Sequence, residues 1–144
     1  MESSYEVNIE YARGLQKSGQ EMEFMPRSSF WAPITAKRFL DLHDRGGADD
    51  YFSSDLTDAE LMERLGHVGQ LVDKALVVFS GSDEYVPSEV DAFVLTQRLV
   101  TAMNSHVAKP VAEALYLASA NHNLSEGSGD LELFLNEVYR VLKN

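Results

Sequence analysis

Ala75-Leu76-Val77-Val78-Phe79-Ser80-Gly81-Ser82-Asp83-Glu84-Tyr85-Val86-Pro87 is the stretch that decides the fold. Its first part, Ala75 to Phe79, is a short apolar run without polar alternation, which predicts a strand buried on both faces. Small and polar residues follow at Ser80-Gly81-Ser82-Asp83 and let the chain turn sharply at the strand's C-terminal end. Val86-Pro87-Ser88 then leads into a helical pattern. Strand, acidic turn and helix form an α/β unit, in which functional side chains gather outside the carboxyl ends of the strands. Asp83 stands at that place.

Downstream, Ser88 is placed to cap a helix carrying Val90, Phe93, Val94, Leu95, Leu99, Val100 and Met103. So wide an apolar surface predicts contact on more than one side. Asn104 to Pro110 reads as a connection, and Ala114 to Ala118 as a second buried strand. That strand ends at Ser119-Ala120-Asn121-His122-Asn123. Gly127-Ser128-Gly129-Asp130 opens a last helix with Leu131, Phe134, Leu135, Val138 and Leu142 on one stripe.

Upstream, Thr57 and Glu60 make a capping box for a helix through Leu61, Met62 and Leu65 to Gly66, followed by a loop around His67-Val68-Gly69. Before it lies an acidic, aromatic loop from Ala48 to Leu56. Ile34, Phe39 and Leu42 supply one face of a helix from Ile34 to His43, with Pro33 suited to its first turn. Residues 3 to 18 read as a helix through Tyr5, Ile9, Ala12 and Leu15, with Gly19 placed to stop it. From Gln20 to Ala32 the pattern breaks around Pro26, so residues 1–32 read as an arm or a lid-like segment. Residues 1–144 carry no internal boundary and are read as a single domain of α/β class, with two parallel strands and about five helices.

Composition narrows the function. Hydrophobic content of 44% and charged content of 24% are those of a soluble globular protein. A net charge of −11 disfavours a nucleic-acid or anionic-membrane surface, since both select for basic patches. The chain has no cysteine, hence no catalytic thiol, disulfide or thiolate metal site, which fits a reducing compartment and a cytoplasmic location. No stretch reads as a secretory signal or a bilayer span.

Two strand–turn–helix units follow one another, with an acid after the first strand and a histidine after the second. Parallel strands joined by a right-handed crossover bring both turns to one edge of the sheet. Asp83 and His122 can therefore meet there, the carboxylate orienting the imidazole as in the acid–base half of a Ser-His-Asp relay. The blander readings are an Asx-turn residue for Asp83 and an ordinary loop histidine for His122. His43, His67 and His106 are scattered without an i, i+4 ligand pair, so no metal site is expected. Asp49, Asp50 and Asp55 lack the ligand spacing and central glycine of an EF-hand loop. They are expected to fix their own loop, with Tyr51 and Phe52 as its apolar anchor. Lys37 and Arg38 are read as solvated or paired with neighbouring acids. Met22, Met25, Phe30 and Trp31 are read as packing. No cofactor is expected.

The sequence also resembles the C-terminal part of an uncharacterised eukaryotic family of α/β-hydrolases. The resemblance rests on Pro33-Ile34-Thr35-Ala36-Lys37-Arg38-Phe39, Asp49-Asp50-Tyr51-Phe52-Ser53-Ser54-Asp55-Leu56 and Ser80-Gly81-Ser82-Asp83-Glu84-Tyr85-Val86-Pro87. It continues more weakly to Asn121-His122-Asn123. It implies that Asp83 is the triad acid after the penultimate strand and His122 the triad base after the last. An α/β-hydrolase supplies its nucleophile from a Gly-x-Ser-x-Gly elbow earlier in the chain, and these residues contain no such elbow. The expectation is thus a hydrolase-like part that does not catalyse alone, or else a non-catalytic interaction module on the same scaffold. In the family the strand Leu76–Phe79 would pair with a preceding strand that has no counterpart here. The expected partner is a second copy, as a homodimer, or a complementing N-terminal hydrolase half. Alternatively, residues 1–32 fold back over the open edge.

Overall fold

Thr57 opens α3 (Asp58–Leu65) through the reciprocal bonds its sequence promised. Its hydroxyl accepts from the Glu60 N–H at 3.2 Å, and the Glu60 carboxylate accepts from the Thr57 N–H at 2.7 Å. This helix begins the second of two compact units, Met1–Leu56 and Thr57–Asn144, into which the chain divides in the computed structural model. Residues 4–126 and 129–143 are described by the structure.

The first unit contains α1 (Ser4–Lys17) and α2 (Ala36–His43). Ile9 and Ala12 of α1 pack with Met25, Ile34, Ala36, Phe39 and Leu40, so apolar positions three or four apart become one buried face. Gly19, at φ 72°, takes the left-handed conformation that ends α1 as expected. Arg13 makes a two-pronged bond to Asp44, at 3.0 and 2.7 Å, tying α1 to the end of α2. Thr35, not Pro33, supplies the start of α2: its hydroxyl accepts from the Arg38 N–H. Lys37 pairs with Asp41 and Arg38 with Asp49, in keeping with the paired reading. Asp50 accepts from the Gly46 N–H and so fixes its loop, but Tyr51 and Phe52 are exposed and do not anchor it. Met25 is buried, whereas Met22 and Trp31 face solvent.

The second unit continues through α4 (Val68–Leu71), β1 (Ala75–Ser80), α5 (Ala92–Met103), β2 (Ala112–Leu117) and α6 (Asp130–Lys143). The described residues thus hold five helices of eight residues or more, with the four-residue α4 formed where a loop was expected. β1 and β2 pair in parallel, from Ala75 opposite Ala112 to Ser80 opposite Leu117. The α5 helix packs on both strands and on α3, which explains its broad apolar surface. Asp91 caps it, not Ser88, because Val90 N–H bonds back to Pro87 O and keeps residues 87–90 in a turn. At its far end Asn104 holds the start of β2: its Oδ1 accepts from Val111 and Ala112 N–H, and its Nδ2 donates to Ala112 O. Edge-to-face contact of Phe93 with Tyr116 adds a second tie between α5 and β2.

The expected burial of β1 also fails. β1 is not buried on both faces; all six of its residues are half-buried. A sheet of two strands gives β1 a single hydrogen-bonded neighbour and leaves its other edge without a strand partner among the described residues. Likewise α6 carries its apolar stripe but buries no residue fully, and Leu142 is 80% exposed. Gly127 and Ser128, read as part of the helix start, lie outside the described residues. No described helix is long and apolar enough to cross a membrane.

Leu117 is fully buried, so Leu117→Ala is expected to cost about 2–5 kcal/mol through lost packing and the cavity left behind. Leu142→Ala is expected to stay within about 0.5 kcal/mol of wild type. Urea unfolding of the two variants checks this contrast.

Candidate active site

The parallel ladder does not stop with the strands. Gly81 N–H donates to Leu117 O at 2.7 Å and Ser82 N–H to Ala120 O at 3.0 Å, while the Ser82 hydroxyl donates to Ala118 O. The turns after β1 and β2 are therefore stitched together at one end of the sheet. Only glycine fits at position 81: a Cβ there would lie 2.8 Å from Ala118 O and 2.5 Å from the Tyr116 hydroxyl.

Asp83 and His122 hang from these two turns. Asp83 Oδ2 lies 2.9 Å from His122 Nδ1, and Asp83 Oδ1 accepts from the Tyr85 N–H at 2.9 Å. The Asp83 carboxylate therefore has a bond on each oxygen. Its side chain is 14% exposed, whereas that of His122 is 58% exposed. Burial pushes the Asp83 carboxyl up, but the bonds from His122 and Tyr85 outweigh it and hold the group below its ordinary range. The bond to Asp83, then its charge, raises His122 above its ordinary value, with Glu84 adding a further push. The pair is thus a carboxylate that stays ionised and an imidazole that readily takes a proton.

The His122 loop has its own scaffold. Asn121 donates from Nδ2 to the Ser125 hydroxyl and accepts at Oδ1 from the Glu126 N–H. Leu124 sits at φ 59°, a left-handed conformation rare for a branched apolar residue. At the loop's far side Asp130 accepts from both the N–H and the hydroxyl of Ser119. Two neighbours of Asp83 also reach the histidine. Glu84 accepts from the His122 N–H, and the Tyr85 ring stands edge-on to the imidazole at 4.9 Å. Neither role is legible in the sequence, since a bond spanning 38 residues leaves no local signal.

Other groups stand apart from the pair. Met62, Phe93, Val94 and Arg98 help line a cavity of about 320 Å³ on α3 and α5, and neither Asp83 nor His122 lines it. In the first unit His43 lies among Phe30 and Phe39, where burial lowers its pKa. The described residues hold no cluster of three or more potential metal-ligating side chains.

A parallel strand pair with helices packed on it, and an acid and a histidine on the turns after successive strands, define an α/β-hydrolase-like unit. The chain belongs to the family described as "Protein of unknown function (DUF1749)", which matches residues 2–143. It is 37% identical to an esterase of Emericella nidulans, AN6793, over 120 residues, covering 75% of this chain and 32% of the relative. It is 36% identical to the fusarinine C esterase sidJ of Aspergillus fumigatus over 103 residues, covering 65% of this chain and 29% of that protein. The siderophore hydrolase EstB from Aspergillus fumigatus shares the fold at a TM-score of 0.72 and 25% identity, across 96% of this chain and 47% of that one. The chain thus spans about a third of the length of the curated relatives it matches.

The pair also sets a pH dependence. Asp83 is depressed, so its contribution to stability is lost as pH falls through its folded-state value. His122 is raised, so its contribution is present below its unfolded value and lost as pH rises through the folded one. The stability difference between wild type and Asp83→Asn is therefore expected to peak between those two limits and shrink on either side. Urea midpoints of both proteins across the acid and neutral range check this.

Proposed function

We propose that this chain is the acid–base part of a serine-type esterase and acts on ester substrates only when a nucleophile-bearing hydrolase half completes it. The observation that carries the reading is the 2.9 Å contact between Asp83 Oδ2 and His122 Nδ1. With Nδ1 held by the carboxylate, Nε2 is the nitrogen left to take a proton from a serine hydroxyl. It then returns that proton to the leaving alcohol. Asp83 stays ionised, fixes the ring and stabilises the imidazolium that forms. Nucleophile and oxyanion donors come from the complementing half, because these 144 residues carry no Gly-x-Ser-x-Gly elbow. The esterase and siderophore-hydrolase names of the relatives support an ester substrate and make fusarinine C the first to test. A cytoplasmic location is part of this proposal, supported by the absence of cysteine, which fits a reducing compartment.

The open edge of β1 is where the partner would add its strand. That edge and the exposed apolar residues Phe93, Leu135 and Leu142 also favour a second reading, a non-catalytic module that binds a further copy of itself. The two readings separate in one set of measurements. Alone, the chain is expected to show no serine labelled by a fluorophosphonate probe and no ester turnover. Co-expressed with a nucleophile-bearing N-terminal hydrolase half, it is expected to gain turnover that falls about 10⁶-fold in His122→Ala. Stoichiometric labelling of one serine in the isolated chain would overturn the proposal. A concentration-dependent dimer in sedimentation equilibrium, with no turnover in either setting, would favour the interaction module.

A further inference from the structure

We infer that Glu84 is a positioning residue for His122, a second carboxylate that holds the histidine's main chain while Asp83 holds its ring. The inference rests on the acid–base reading above and goes beyond it. Three consecutive residues after β1 grip one residue after β2. Asp83 bonds the imidazole, Glu84 Oε2 accepts from the His122 N–H at 3.1 Å, and the Tyr85 ring stands edge-on to the imidazole. Asp83 Oδ1 also accepts from the Tyr85 N–H, which fixes the backbone from which Glu84 projects. A hydrogen bond from an amide to an ionised carboxylate is stronger than one between neutral groups. Glu84 therefore adds a main-chain anchor at His122 to a loop tied elsewhere by Ser82 at Ala120, by Asp130 at Ser119 and internally through Asn121 and Ser125.

Anchoring the main chain matters because a ring held only by one side-chain bond can still swing with its loop. With both ends held, Nε2 keeps one position relative to the sheet edge, where a reacting hydroxyl would approach. The charge matters too, since a second anion near the ring favours the imidazolium formed when His122 accepts a proton. Among the described residues, the titratable groups that meet His122 are Asp83, Glu84 and Tyr85, all from the turn after β1. In its own loop Asn121, Asn123 and Ser125 are uncharged, and Glu126 meets Asn121 through its main-chain N–H.

The test follows the His122 imidazole by NMR titration, and its amide by hydrogen exchange, in the full chain. Glu84→Gln keeps an acceptor for the His122 N–H but removes the charge. It is expected to lower the His122 titration midpoint and leave its amide exchange unchanged. Glu84→Ala removes both, so the midpoint is expected to fall and the amide to exchange about five-fold faster. Asp83→Asn serves as the control for the pair itself and is expected to lower the midpoint further. Wild-type midpoints and exchange in both Glu84 variants, with a shift in Asp83→Asn, would overturn the role of Glu84 and leave the pair standing. No shift in Asp83→Asn would overturn the pair, and the inference with it.

Discussion

Asp83 and His122 are 39 residues apart in sequence, and the parallel ladder between β1 and β2 closes that distance. Side chains alternate with a period of two along a strand, so slipping the register by one residue would turn each pair to the opposite face. Here the register runs unbroken from Ala75–Ala112 to Ser80–Leu117 and continues through Gly81 and Ser82 into the turn after β2. The two turns share backbone bonds before any side chain is considered. The carboxylate and the imidazole inherit their positions from that frame.

The ladder is in turn held from its far end and its face. Asn104 spends all three of its side-chain bonds on Val111 and Ala112, which sets where β2 starts and hence where it ends. Leu95, Leu99 and Ala102 of α5 are buried, and the helix packs on both strands. The frame is less complete on its other sides. β1 stays half-buried, α6 buries no residue, and an unpaired edge beside apolar side chains is a surface that proteins ordinarily cover. The same openness leaves the His122 ring largely in solvent, whereas an acyl-transfer site works best with water excluded. Under the proposed function, the β1 edge and the exposed His122 ring are where the complementing half would pack.

Much of this was legible in the residues. Hydrophobic periodicity located α1, α2, α3, α5 and α6, because a buried helical face needs apolar groups three or four apart. The Thr57 and Glu60 capping box reads directly, since both of its bonds lie within four residues. The start of α5 was misplaced for a local reason: Ser88 and Asp91 are both good caps, and only the turn from Pro87 to Val90 decides between them. Tyr51 and Phe52 suit an apolar anchor for the acidic loop, yet both are exposed, because exposure depends on neighbours that sequence spacing does not name.

Sequence by itself determined the two apolar strands, their parallel sense and the acid and histidine at their ends. Those follow from local hydrophobicity, turn chemistry and the handedness of the crossover. Only the tertiary structure decided how far each strand is buried, that Gly81 must pass within contact of Ala118, and that Glu84 and Tyr85 close on His122 beside Asp83. Burial and long-range hydrogen bonds depend on which atoms the completed ladder brings together, and no spacing within one segment encodes that.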